Sequence, residues 1–432
     1  MYKFKFICIE CSYETKSFKD WFDAGQKCLR CGAIYSETVY GDSAGLPSVF
    51  TKREVDSMWS YFDFLPLNSR KNITSLREGA VPIQEFSRVE KIVKNYYNIE
   101  CRIRVFRNDL SPGTRTFKDL AGALLSSVLK ENNVKNYVVS STGNIASSFS
   151  RYLSLNGIKL HVFFPKDTSA SQEAEVKSYG ATVFRVNGDY NLAKKMAEEF
   201  AEKHGFLFAK TGVDPTRIEA KKTLAYEMFR QSHGLELPTV YIQALSGGTG
   251  PIGVFKGNEE LIRSNITTKH QKMILVQSEK CAPMVDAYID YKSNGFPGDW
   301  DFRFPTYRNP DTRITTIATG YPALYPYVAE VVRRTDGDII SVDENLVEAV
   351  SRMIFLCEKI RIGPASSIAM LGLFKALKNG LIKDKDVVVV NIGDGVERSP
   401  EFLGQLTVDK CETSALDEMI SESVACFIGK VS

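Results

Sequence analysis

From Arg102 onward, short runs of β-branched and aromatic residues alternate with longer amphipathic stretches. RIRVF, NYVVS, KLHVFFP, TVFRV, FLFA, PTVYIQAL, KMILVQS and VVVVNI have the length and composition of strands. Several of them are apolar enough to be buried on both faces. Between them, FKDLAGALLSSVLKEN, NIASSFSRYLSL, SASQEAEVKSYG, DYNLAKKMAEEFAEKH, RIEAKKTLAYEMFRQS and SSIAMLGLFKALKNG read as helices. This alternation predicts an α/β protein in which helices cover parallel sheets. In such sheets a ligand sits where strands reach their carboxyl ends and helices begin. Upstream, apolar spacing in VDSMWSYFDFLP and IQEFSRVEKIVKNYY predicts a helical bridging segment over 42–100. Residues 290–320, rich in Pro, Gly, Asn and aromatics, read as an irregular excursion over the surface.

Length and composition narrow the class. A chain of 432 residues exceeds one small core, which predicts two or three domains. Apolar residues at 44% and charged residues at 25% suit a globular protein and argue against disorder. The net charge of +3 comes from basic residues spread along the chain, so nothing favours a nucleic-acid partner. The start, MYKFKFICIEC, has too short an apolar stretch for a secretory signal, and no run approaches the ~20 apolar residues of a membrane helix. The expectation is a cytoplasmic protein with no membrane partner.

Five of the nine cysteines (Cys101, Cys281, Cys357, Cys411 and Cys426) stand singly, as in a reducing compartment. The other four form Cys8-x2-Cys11 and Cys28-x2-Cys31, sixteen residues apart. That is the spacing of two knuckles bringing four thiolates to one Zn2+, with a disulfide pair as the alternative. Four sulfurs leave no open position for water, so the metal would be structural. The expected organisation is a zinc-ribbon-like module over 1–41, the bridging segment over 42–100, and a catalytic region over 101–432 made of two α/β subdomains, the smaller spanning roughly 115–210.

Four motifs at strand–helix boundaries carry candidate chemistry. In SPGTRTFKDLAG, Lys118 stands near a helix start, where a lysine can form a Schiff base and then shuttle a proton; the plainer reading is a solvated surface lysine. SSTGNIASS follows the strand NYVVS; its small residues admit a ring, and the Asn144 amide can donate to a phenolic oxygen, although a simple helix cap fits equally. SGGTGPIG follows PTVYIQAL, and Ser246, Gly247, Gly248, Thr249 and Gly250 can turn successive backbone N–H groups toward one phosphate ahead of a helix starting near Pro251. It lacks Gly-Lys-Ser/Thr and GxGxxG, so it is neither a Walker loop nor a dinucleotide fingerprint; a flexible turn is the alternative. VVVVNIGDGVERS ends a very apolar strand, where a side chain can meet a ring nitrogen or the glycines can simply make a turn.

Taken in order, these motifs resemble the threonine synthase family of pyridoxal-5′-phosphate enzymes over nearly the whole chain. PGTRTFKDLAG is similar to the family's PTGSFKDRG element at Phe117, Lys118 and Asp119, and the STGN element stands as Ser141, Thr142, Gly143 and Asn144. DPTRIEAKKT is similar to NPxRxEGxKT at Pro215, Arg217, Glu219, Lys222 and Thr223, and GPASS at 363–367 is similar to EPxSA. The resemblance implies the tryptophan synthase β-like fold (fold type II), in which two open parallel-sheet α/β domains close over pyridoxal phosphate. It implies a Schiff base at Lys118, phosphate held by Ser246 through Gly250, Asn144 at the cofactor hydroxyl, and elimination or replacement at the β or γ carbon of a phosphorylated amino acid. Related enzymes are commonly dimers, so the analogy implies a homodimer.

Three departures concern the substrate and the ring nitrogen. Ile145 follows Asn144 where the family has threonine, and TGVDP, with Gly212 and Asp214, replaces NSxNP. These changes remove groups that bond an anion, leaving Arg217 and Arg115, with Ser141, Thr142 and Gly143, as the substrate-binding set. The family's TGHG threonine at the ring nitrogen is absent, and Asp394 or Asn391 takes its place. The changes are similar to those that mark cysteate synthase, which replaces the phosphate of O-phosphoserine with sulfite. A catalytically silent binding protein on the same fold is the third reading, opposed by the intact Lys118 and Asn144.

Overall fold

A computed structural model of the protein describes residues 3–41, 50, 55–141, 143–210, 214–232, 236–308, 310–406 and 427–429. The chain divides into two compact units, each assembled from separate stretches. The first takes Met1–Ala80, Ser111–Glu227 and Ile252–Lys269; the second takes Val81–Leu110, Met228–Pro251 and His270–Ser432.

The first unit begins with a three-stranded antiparallel sheet in which Phe4–Cys8 lies between Glu14–Thr15 and Ser36–Tyr40. The Ser17 hydroxyl accepts from Asp20 N and starts the short helix Phe18–Asp23. Phe6 packs edge-on against Phe18 at 4.9 Å and tilts against Trp21, so rings supply a core that so small a sheet could not otherwise bury. The same unit holds a parallel sheet in the order Thr182–Val186, Lys159–Pro165, Asn136–Ser140, Leu207–Phe208. Tyr137 and Val139 join one apolar cluster with Phe149 and Leu153, whereas Val138 joins another with Ala193, Ala197 and Ala201. Both faces are therefore covered, which explains a strand apolar at successive positions. Helices Lys118–Glu131 and Asn144–Ser154 approach closely at Gly122, where any Cβ would collide with the side chains of Ser148 and Tyr152.

The second unit is built on a six-stranded sheet in the order Asp338–Val342, Lys272–Ser278, Val240–Ala244, Val387–Asn391, Arg102–Phe106, Ile83–Glu85. All neighbours are parallel except the last pair. Its core joins Val240, Ile242, Ile274, Val276, Val388 and Val390 to helix Pro364–Lys378, which is buried almost all round.

Several elements differ from expectation. VDSMWSYFDFLP forms a 3-10 turn, Met58–Phe64, in which Met58, Trp59, Tyr61, Phe62 and Phe64 are all buried. Apolar side chains at nearly every position cannot share the single stripe of a surface α-helix. The stretch RIEAKKTLAYEMFRQS is two helices, Pro215–Lys221 and Thr223–Gln231, broken at Lys222. The strands Ile83–Glu85 and Asp338–Val342 and the helices Pro283–Ser293, Tyr325–Arg334 and Val347–Glu358 were not anticipated. Part of the 290–320 excursion is packed by rings, with Tyr291 stacked on Trp300 at 5.5 Å and edge-on to Phe302 at 5.0 Å. Among the described residues no helix is long and apolar enough to cross a membrane.

Candidate active site

In the first unit Lys118 is the first residue of its helix and is half-buried, with Nζ 3.6 Å from the centroid of the Phe117 ring. The loop before it is pinned by Asp119, whose carboxylate accepts from Thr114 N at 2.7 Å and from the Thr114 hydroxyl at 2.5 Å. A Cβ on Gly113 would come within 2.8 Å of both that carboxylate and Tyr152, so the loop is closed down on its own anchor. Arg115 lies in this loop with a left-handed backbone (φ 56°) and an exposed side chain. One strand and helix further on, Ser141 Oγ accepts from the N–H groups of Gly143 and Ala146 at 3.2 and 3.3 Å. Gly143 has φ 150°, and a Cβ there would lie 2.5 Å from Gln172 Nε2. Asn144 opens the helix Asn144–Ser154 and is buried; Thr142 and Gly212 lie outside the described residues.

Arg217 sits on the helix Pro215–Lys221, which Asp214 caps by accepting from Thr216 N at 2.9 Å and from its hydroxyl at 2.6 Å. The guanidinium is only 5% exposed, and its Nε and Nη2 make no hydrogen bond. Its Nε is 4.0 Å from Asp214 Oδ2 and its Cζ is 5.1 Å from the Phe149 ring centroid. Buried guanidinium N–H groups without acceptors are costly unless an anion completes them. Gln172 Oε1 is a second buried atom without a partner. Burial, with Asp214 nearby, pushes the Tyr137 hydroxyl well above its usual range, so the phenol that donates to Asp214 stays neutral.

In the second unit Ser246–Gly250 follows strand Val240–Ala244 and runs into the helix Thr249–Arg263. Gly248 has φ 93°, and any Cβ there would collide with Val328; one on Gly250 would lie 2.5 Å from Gln243 Nε2. Glycine is therefore required at Gly248, and backbone lines the turn there. Ser246 Oγ and Thr319 Oγ1 are 2.8 Å apart. Beyond strand Val387–Asn391, Asp394 is held by Ser366, whose hydroxyl donates to Oδ1 at 2.7 Å while its N–H lies 3.2 Å from the same oxygen. Asp394 thus caps the helix Pro364–Lys378. Asn391 Oδ1 accepts from Asn108 Nδ2 at 2.9 Å.

Similarity to known proteins identifies the family. The profile of the family described as "Pyridoxal-phosphate dependent enzyme" matches residues 75–394. The chain belongs to that family. It is 27% identical to threonine synthase of Methanocaldococcus jannaschii over 424 residues, covering 92% of this chain and 99% of that protein. It is 28% identical to cysteate synthase of Methanococcoides burtonii over 404 residues, covering 89% of this chain and 92% of that protein. The fold matches diaminopropionate ammonia lyase from Escherichia coli with a TM-score of 0.62 at 15% identity, covering 84% of this chain and 91% of that one. These matches give the tryptophan synthase β-like α/β fold of pyridoxal-phosphate enzymes.

The residues of the second unit fit the family's cofactor. A turn in which Val328 bars a side chain at Gly248 presents backbone N–H groups at a helix start, which suits a phosphate dianion. Gly248→Ala is expected to weaken pyridoxal phosphate binding about tenfold or more, the equivalent of ~1.4 kcal/mol, by forcing a side chain into Val328. Titration of the full chain with cofactor, followed by visible absorbance, measures this.

The four cysteines of the N-terminal sheet also converge. Their sulfurs all lie within 4.8 Å of one another, with Cys8 to Cys31 and Cys11 to Cys28 each at 3.6 Å. Four sulfurs ~2.3 Å from one zinc would stand about 3.8 Å apart, so the cluster has the size for that ion. Each knuckle turns through a positive φ one residue after its second cysteine, at Ser12 (58°) and Gly32 (76°).

Sequence reasoning missed Gln172, Ser366 and Asn108. Ser366 lay in the quoted GPASS element; the others carried no local signal, because their partners are distant in the chain.

Proposed function

We propose that this enzyme replaces the phosphate of a phosphorylated amino acid, with Lys118 carrying the cofactor and O-phosphohomoserine as the substrate. The observation that carries the reading is the buried Arg217 guanidinium, whose Nε and Nη2 lack acceptors in the same unit as Lys118. An anionic leaving group is the ligand that such a cation calls for.

Bound pyridoxal phosphate supplies an electron sink for charge that develops at the α carbon. The Lys118 amine removes the α-proton and returns it later. Arg217 holds the leaving phosphate, and the N–H groups at Gly143 and Ala146, ordered by Ser141, shape the mouth of the helix beside it. Asn144 would donate to the cofactor hydroxyl, and Ser246–Gly250 would hold its phosphate. Asp394, oriented by Ser366, would accept from the ring nitrogen of the bound cofactor and keep it protonated. In the N-terminal module, Cys8, Cys11, Cys28 and Cys31 hold a structural Zn2+.

A second reading, replacement of the O-phosphoserine phosphate by sulfite, is favoured by Asp214. Its carboxylate stands 4.0 Å from Arg217 where threonine synthases have an amide. The two readings separate on phosphate release from O-phosphohomoserine in water against O-phosphoserine with sulfite; faster release from the second mixture would overturn the first. Arg217→Met is expected to raise KM for the preferred phosphorylated substrate roughly tenfold or more, with a smaller change in kcat, as for loss of a charge-assisted pair worth about 2 kcal/mol.

A further inference from the structure

The excursion over 290–320 returns to the sheet at its far end. There Thr319, half-buried, brings its Oγ1 to 2.8 Å from Ser246 Oγ, at the first residue of the glycine turn. Several contacts fix Thr319 in place. The buried Cys281, just beyond strand Lys272–Ser278, meets the Thr319 backbone, and the Thr319 N–H donates to the Ile317 carbonyl at 2.9 Å. The Tyr307 N–H donates to the Gly320 carbonyl at 2.9 Å, and a Cβ on Gly320 would lie 2.0 Å from the Tyr307 carbonyl oxygen. Strands Lys272–Ser278 and Val240–Ala244 are parallel neighbours, so Thr319 and Ser246 meet beyond the carboxyl ends of two adjacent strands. That is the edge at which an open α/β sheet takes its ligand. The turn itself is walled by Val328 at Gly248, whereas a Cβ on Gly247, next to Ser246, would meet nothing within 4 Å.

We propose that Thr319 is a further ligand of the cofactor phosphate, its hydroxyl acting with that of Ser246 on the open side of the glycine turn. The proposal rests on the reading of Ser246–Gly250 as the phosphate cradle. Two hydroxyls in contact share one hydrogen, so one of the two O–H groups is left to donate elsewhere, whichever way the pair is turned. Residues 246–250 carry no charge, and a dianion seated on them depends on neutral donors alone. Each added donor counts, because a hydrogen bond to a charged acceptor is about twice as strong as one between neutral groups. Threonine suits the place, since its β-branched side chain is stiff at χ1 and loses little freedom when its hydroxyl is engaged. No local pattern marks the residue, which stands 73 positions from Ser246.

The test compares pyridoxal phosphate with pyridoxal, which has the same aldehyde and ring without the phosphate. Full-length protein resolved of cofactor is titrated with each, and binding is followed by visible absorbance. The parent is expected to prefer pyridoxal phosphate. Thr319→Val keeps the shape and removes the hydroxyl; it is expected to weaken pyridoxal phosphate about tenfold and to leave pyridoxal within about twofold of the parent. Thr319→Ser restores the hydroxyl and is expected to recover most of the loss. Unchanged affinity for pyridoxal phosphate in Thr319→Val overturns the proposal. So does an equal loss for both compounds, which marks a merely structural role, or a Thr319→Ser that binds no better than Thr319→Val. Where thermal melts show Thr319→Val to be poorly folded, Thr319→Ala takes its place with the same expectation. Gly248→Ala separates the proposal from the cradle beneath it. A parent without preference, or a Gly248→Ala that keeps the preference in full, defeats the cradle; a preference lost in Gly248→Ala and kept in Thr319→Val discards Thr319 alone.

Discussion

Lys118→Ala is expected to abolish the visible absorbance of lysine-bound cofactor and to lower turnover by roughly 10³-fold or more, the combined loss of an attachment point and of a general base. The protein should still fold. Alanine is the best helix former at the head of a helix, and the contact that Ser148 Oγ makes at position 118 is to the backbone oxygen, at 3.0 Å, which the variant retains. The Asp119 anchor on Thr114 is also untouched. Spectra and initial rates of the two proteins, with thermal melts beside them, give the answer. A variant with an unaltered visible band would sink the assignment.

Removal of the metal is expected to produce the second largest effect. Purified full-length protein should carry about one zinc per chain, and a strong chelator or Cys28→Ser should lower the melting temperature by at least about 5 °C, because metal binding to such a cluster is folding free energy. The loss would not stay within the small sheet. Gln26 Nε2 donates to the Phe208 carbonyl at 2.8 Å, Lys210 to that of Gly25 at 2.9 Å, and Lys3 to those of Phe62 and Leu67 at 2.6 Å each. Elemental analysis, thiol titration and calorimetry together decide the matter. A metal-free protein as purified, whose four thiols react without change in melting, contradicts the assignment.

The parallel sheets were legible in the chain because their strands are apolar on both faces, as in NYVVS, KLHVFFP and VVVVN. The four motifs stood out because each is a glycine-, serine- or proline-rich stretch close after a strand, a pattern that is local in sequence. What escaped depends on distance or on weak pattern. Ile83–Glu85 is a three-residue edge strand, too short to show alternation. Asp338–Val342 starts with a polar residue and mixes exposure along its length. Asp394 was legible as a polar residue after a strand, but its hold on Ser366 joins positions 28 apart, and Asn391 meets Asn108 across 283. Lys221 read as one more lysine in KKT, since nothing local reveals that it is buried or that it shares a ring with Lys118.

The helix Pro215–Lys221 spans only seven residues yet points three ways. One side carries Arg217; its end carries Lys221; and Glu219 accepts from the Tyr40 hydroxyl at 2.7 Å and from Lys256 at 2.5 Å, while Lys256 also donates to the Thr38 carbonyl. Burial would raise the Glu219 carboxyl, but Lys222 and Lys256 hold it below the ordinary carboxylate range, so the knot stays charged. Tyr40 and Thr38 belong to the strand that leads away from the cysteine cluster. Were the proposed zinc lost from the sulfurs upstream of that strand, slack would pass through Tyr40 and Glu219 to the helix that carries Arg217, and metal content would read out in affinity for the proposed anion before it read out in bond-making.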